Sequence, residues 1–169
     1  MSKQPILELK LGIQMFGGDE DLYRKTLESF DDNSNLGAYR ILHHHILSMK
    51  HAEISISACI IFSLAGFICA NCVSRTAHNI YLAANKKDTD RVLSEYVKLL
   101  QETILLSKEI SKVVGRKLET SQFFKHLLDI KRKYNIQVEM YQNYFINFEG
   151  LEFNEACHNN VCTIGCNIF

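Results

Sequence analysis

The chain has 169 residues, 47% of them hydrophobic, and a formal net charge of zero. That apolar content suffices for one core, and the charge balance gives no reason to expect nucleic acid or a bulk acidic partner. One proline, no low-complexity tract and no internal repeat leave no linker or disordered arm to assign.

The N-terminal Met1–Ile6 stretch lacks the apolar core of a signal peptide, which points to the cytosol. The six cysteines are therefore expected as reduced thiols, not as a disulfide framework. Every strong periodicity along the chain is helical. Ile6, Leu7, Leu9, Leu11 and Ile13 predict a short helix from Pro5 to about Met15, stopped by Gly17-Gly18. Asp19 is placed to cap the next helix, with Glu20 and Asp21 in its first turn and Leu22, Tyr23, Leu27 and Phe30 at helical spacing. Asp31 to Asn35 breaks that pattern, and a further run goes from near Leu36 through Leu42 and Ile46 to Met49.

The stretch from about Ile54 to Val73 carries no charge and predicts one continuous helix. It is long enough to be weighed as a membrane span. Ser55, Ser57, Ser63 and Asn71 interrupt its apolar surface, Glu53 and Arg75 sit at its ends, and no aromatic belt or basic flank marks an orientation. A buried helix of a bundle is the better account. Arg75 to Ala84 predicts another helical segment, with Ala77, Ile80, Tyr81 and Ala84 at core spacing. Asn85 to Asp88 reads as a turn in which Asp88 or Thr89 caps the next helix. Val92, Leu93, Tyr96, Leu100, Thr103, Ser107, Ile110 and Val114 mark one face of that long helix, which stops at Gly115. Short connections between long helices imply antiparallel neighbours. Phe123, Phe124, Leu127, Leu128 and Ile130 mark a last helix with a basic end, Lys131-Arg132-Lys133, before a tail rich in Tyr and Phe (Tyr134, Tyr141, Tyr144, Phe145, Phe148, Phe153). These elements divide into a bundle at 1–116 and an aromatic helical extension at 117–169.

Several pieces in this order resemble the histidine phosphotransfer (HPt) family over roughly Leu9 to Val114. Phe16-Gly17-Gly18-Asp19-Glu20-Asp21-Leu22-Tyr23, with Phe30 downstream, is similar to that family's opening turn and helix. Glu53-Ile54 stands at about the spacing of its acidic-aromatic pair. Ser63-Leu64 and Gly66 match the motif around its active His, Asn71-Cys72-Val73 resembles its Asn-hydrophobic-Gly-Ala segment loosely, and Lys87-Asp88 falls at its Gly-Asp turn. The resemblance implies an all-α, antiparallel four-helix bundle with an extra C-terminal helical extension. It also implies a phosphoacceptor His at position 62 and a charge-balancing Lys at position 65, where this chain has Phe62 and Ala65. Phosphoryl transfer needs a nucleophilic imidazole and a nearby cation, so the resemblance implies an inactive relative: not an enzyme, without cofactor, that docks a receiver domain as inactive members of the family do. Ala58, Cys59, Phe62, Ala65, Gly66 and Cys69, with Ser55, are expected to form one stripe of small residues around an aromatic, the degenerate site serving as a partner-binding face. A structural subunit of a larger assembly, cytoskeletal or ciliary, is the alternative, and a fold-back of the aromatic tail over Phe62 is the plainer account of that face. An active phosphotransferase using another His is a third reading.

His43-His44-His45 and His51 invite a metal reading, but successive helical side chains point about 100° apart, so a polar helix surface accounts for them better. Cys69-Ala70-Asn71-Cys72 has the spacing of a redox or zinc pair but is expected within a helix with no second pair nearby. Cys157, His158, Cys162 and Cys166 fit no standard zinc spacing. Cys166-Asn167-Ile168-Phe169 fits a prenylation pattern, so a membrane surface enters only if Cys166 is processed.

Overall fold

Seven helices and no strand make up the described residues, 5–136, of the computed structural model. They are α1 (Leu9–Met15), α2 (Glu20–Glu28), α3 (Asn33–Leu47), α4 (His51–Phe67), α5 (Asn71–Asn85), α6 (Thr89–Val114) and α7 (Ser121–Tyr134). The all-α expectation is met. The tail aromatics from Tyr141 to Phe153, Cys157, His158, Cys162 and Cys166 lie outside the described residues.

The helix starts reflect local chemistry. The Asp19 carboxylate accepts a hydrogen bond from the Leu22 amide at 2.9 Å, and Asp88 accepts one from Arg91 at 3.1 Å. Each satisfies an amide that has no partner within its own helix. α6 ends at Gly115 in the left-handed region at φ 76°.

The stops of α3, α4 and α5 have a common geometry that the sequence does not advertise. In each, the residue after the C-cap takes a positive φ: Met49 at 47°, Cys69 at 59° and Lys87 at 55°. The next amide reaches back to the last full turn, Lys50 N to His45 O at 3.0 Å, Ala70 N to Ala65 O at 2.9 Å and Asp88 N to Ala83 O at 3.0 Å. This is the Schellman closure, usually built with Gly. Its second use corrects the sequence reading: the uncharged stretch is not one helix to Val73, because Ile68-Cys69-Ala70 turns the chain and α5 begins at Asn71. Of the paired cysteines, Cys69 accordingly sits in the turn and Cys72 in the first turn of α5, so the pair does not lie within one helix. No helix among the described residues is long and apolar enough to cross a membrane.

Three-residue links thus make hairpins of α3–α4, α4–α5 and α5–α6, whose members pack on each other, α4 with α5 most extensively. α2 packs on α6, and α1 on α2. All eight residues expected on the inner face of α6 are buried. α7 lies on α3 and α6 with Phe123, His126, Leu127 and Ile130 buried, so packing continues past residue 116 to the end of α7. The α2–α3 and α6–α7 links are tied by Arg116, whose guanidinium grips Asp31 in a fork at 2.7 and 2.9 Å. That grip holds the Asp31 carboxyl below its ordinary range.

Candidate docking surface

α4 divides its residues sharply. Ile54, Ala58, Ile61 and Ala65, spaced i, i+4, i+7 and i+11, are all buried, together with Ser55 and Ser57. The small ones among them allow close approach to α5, whose buried residues include the equally small Ser74, Ala77, Ala83 and Ala84. Buried hydroxyls are satisfied locally: Ser57 donates to the Glu53 carbonyl at 2.8 Å and accepts from His45, and Ser74 donates to the Phe62 carbonyl at 3.0 Å.

The opposite side is the unusual one. Ile56 is 66% exposed, Ile60 46%, Phe62 39%, Leu64 38% and Phe67 56%, and no charged residue lies between Ile54 and Phe67. The apolar surface continues beyond the helix. Phe67 meets Phe16 edge-on at 5.2 Å, Phe16 leans on Tyr23 at 5.3 Å, and Met15 at the end of α1 is exposed. On the other flank Phe62 tilts against His78 at 5.3 Å, and His78 stacks on Tyr81.

The expected stripe is therefore corrected. Cys59 and Phe62 are exposed, but Ala58, Ala65 and Cys69 are buried and Gly66 is half-buried beside the Ser74 hydroxyl. The boundary between core and solvent runs between Phe62 and Ala65, although they stand less than one turn apart. Ala65 belongs to the ladder that packs on α5, so its small size is explained by helix contact and not by a vanished surface cation. The outward face is instead built by large residues, Ile56, Ile60 and Phe67, which the small-residue stripe does not include.

Tyr23 fixes the α1 end of this surface. Its ring is buried against Gly12, where an added Cβ would lie 2.2 Å from a ring carbon, and its hydroxyl donates to the Ile68 carbonyl at 2.8 Å. Burial and the nearby Cys69 push that hydroxyl up to about 12, so it stays a donor. The Glu8 amide bonds the Cys69 carbonyl at 3.1 Å and the Asn71 side chain donates to the Glu8 carboxylate at 2.6 Å. α1 is thereby laid across the turn that ends α4.

The histidines separate. His44 is exposed, while His45 and His51 are half-buried. His43 is buried, contrary to the expected polar surface, because it occupies the inner stripe of α3 with Tyr39, Leu42 and Ile46. Its ring stacks on that of His126 at 3.8 Å. No sequence motif singles out His126, although it sits between Phe123 and Ile130 on the buried stripe of α7. Among the described residues no cluster of three or more His, Cys, Asp or Glu could hold a metal ion.

Comparison with family models, with curated proteins and with solved structures yields no match.

Proposed function

We propose that the chain is a non-catalytic docking protein that binds an uncharged, apolar helix of a protein partner across the outer face of α4. The observation that carries this reading is the row Ile56, Ile60 and Phe67, exposed at helical spacing with Phe62 and Leu64 on its flanks. Apolar side chains exposed singly are ordinary, but a row along one helix is the geometry by which a partner helix is gripped. Charged groups are depleted at the centre of interfaces, and this face has none from Ile54 to Phe67, the exposed Glu53 standing at its N-terminal edge.

The departures from the HPt site support the non-catalytic part of this reading. Phe62 stands where the HPt resemblance expects an acceptor imidazole, and the Ser63 hydroxyl is engaged with the Cys59 carbonyl at 3.0 Å. Between the two partner classes, a receiver domain and a subunit of a larger assembly, the outward Ile56 and Phe67 favour the second. Permanent interfaces are more apolar than transient signalling ones.

The test is a photo-reactive side chain placed at Ile60 in the full chain, expressed in its native cells, with the same probe at Lys87 as control. One protein partner cross-linked at position 60 and absent at 87 is the expected outcome. Equal labelling at both positions, or none at 60, would reject the reading. With the probe kept at position 60, Ile56→Glu should abolish the cross-link at a stability change within about 0.5 kcal/mol, since Ile56 faces solvent in the free chain.

A further inference from the structure

A polar cluster outside the docking face joins three helices where α7 meets the bundle. His43 on α3, Tyr96 on α6, and His126 and Asp129 on α7 meet there, both histidines and the tyrosine being buried. His43 Nε2 lies 3.3 Å from an Asp129 carboxylate oxygen, His43 Nδ1 lies 3.0 Å from the Tyr96 hydroxyl, and that hydroxyl lies 3.5 Å from His126 Nδ1. The imidazole rings are stacked with an interplanar angle of 10°.

Donor and acceptor inventories assign the protons. A carboxylate only accepts, so a neutral His43 carries its hydrogen on Nε2 and presents a bare Nδ1. Tyr96 donates to that nitrogen, and its oxygen accepts from His126 Nδ1–H. The chain runs one way, from His126 through Tyr96 and His43 to Asp129, with both rings neutral. One added proton on His43 can be absorbed: Asp129 balances the charge, and the Tyr96 hydroxyl turns to a His126 that has moved its hydrogen to Nε2. A second proton cannot. It leaves the Tyr96 hydrogen without an acceptor and sets two cations face to face.

We propose that His43, Tyr96, His126 and Asp129 form a proton-operated latch that holds α7 against α3 and α6 at neutral pH and releases it in acid.

Most of the groups acting on the pair oppose its protonation. Arg40 and His44 on α3 and Lys125 on α7 disfavour a charged imidazole, and Asp129 alone favours one. Burial pushes His43 below its ordinary value with Asp129 opposing, and burial followed by His43 pushes His126 down to about 4. A base depressed in the folded state binds fewer protons there than when released. Its contribution to docking is complete above the ordinary imidazole value of 6.5 and is lost as pH falls from there toward about 4. The Arg116–Asp31 grip, on the neighbouring link, is lost only as pH falls below the ordinary carboxylate value of 3.8, a separate window.

The test is amide hydrogen exchange on the full chain between about pH 7 and pH 5, corrected for intrinsic rates. Amides of α7 from Phe123 to Ile130 should lose protection by up to roughly tenfold per pH unit for each proton taken up below about pH 6.5, while α5 keeps its own. His126→Asn keeps a donor beside Tyr96 without a titrating ring and should reduce that slope by one proton. Should this variant fail to fold, the carbon-bound imidazole resonances of the wild type decide, with His126 changing only below pH 5. An α7 that keeps its protection to pH 5, loses it in step with α5, or contains a His126 that titrates near 6.5 overturns the latch.

Discussion

Met49, Cys69 and Lys87 each hold a left-handed backbone that costs an L-residue roughly 1–2 kcal/mol relative to an ordinary helical one. Lys87 is exposed, so its replacement tests that cost without disturbing packing. Lys87→Gly should raise stability by about 0.5–1 kcal/mol after the added freedom of the unfolded chain is subtracted, read as a higher urea midpoint at unchanged slope. The same residues explain where sequence reasoning goes astray. A stop marked by Gly is visible, as at Gly17 and Gly115; one made by Cys69 inside an uncharged run is not, and a helix predicted to Val73 passes straight through it. Position 65 offers the converse test. Ala65→Lys places an ammonium where only 3% of the residue is exposed and should cost several kcal/mol, whereas Phe62→His at the exposed position should cost about 1 kcal/mol or less. Equal effects in thermal unfolding would mean that Ala65 does not face the core.

At the level of elements, periodicity carries most of the information. The inner face of α6 is legible residue by residue because eight apolar or small side chains recur at helical spacing over its 26 residues. α4 resists the same treatment, since apolar residues on every side give no preferred direction, and only its neighbour α5 reveals which belong inside. Gly12 shows the limit differently: one missing Cβ decides whether α1 can lie on Tyr23, and no pattern marks it. Gly12→Ala should cost about 1–3 kcal/mol through overpacking. Loss of protection at the Glu8 amide, which bonds the Cys69 carbonyl, would be the local sign by hydrogen exchange. The buried histidines are legible in principle, because each occupies a core position in its helix; a run of three histidines reads as a polar surface and hides the one that faces inward.

For the molecule as a whole, the helices from α3 to α6 are joined by hairpins whose contacts are close in sequence, while α7 returns to α3 across a long interval. His43 and Asp129 are separated by 86 positions, Tyr134 and the Ile46 carbonyl by 88, and Arg116 and Asp31 by 85. Each of these contacts closes the same large loop, and such closure costs conformational entropy before any contact is made. Folding should accordingly have an order. Ile61→Val, in the α4–α5 hairpin, should slow folding, whereas Leu127→Ala should mainly speed unfolding, giving chevron φ-values near 1 and near 0 respectively. A helix that arrives last in folding is also the first to leave, so the topology alone already makes the seam of α7 the natural breaking line of the native state. Until the ribosome has released residues well beyond 134, the nascent chain holds a bundle whose α3–α6 groove is still open.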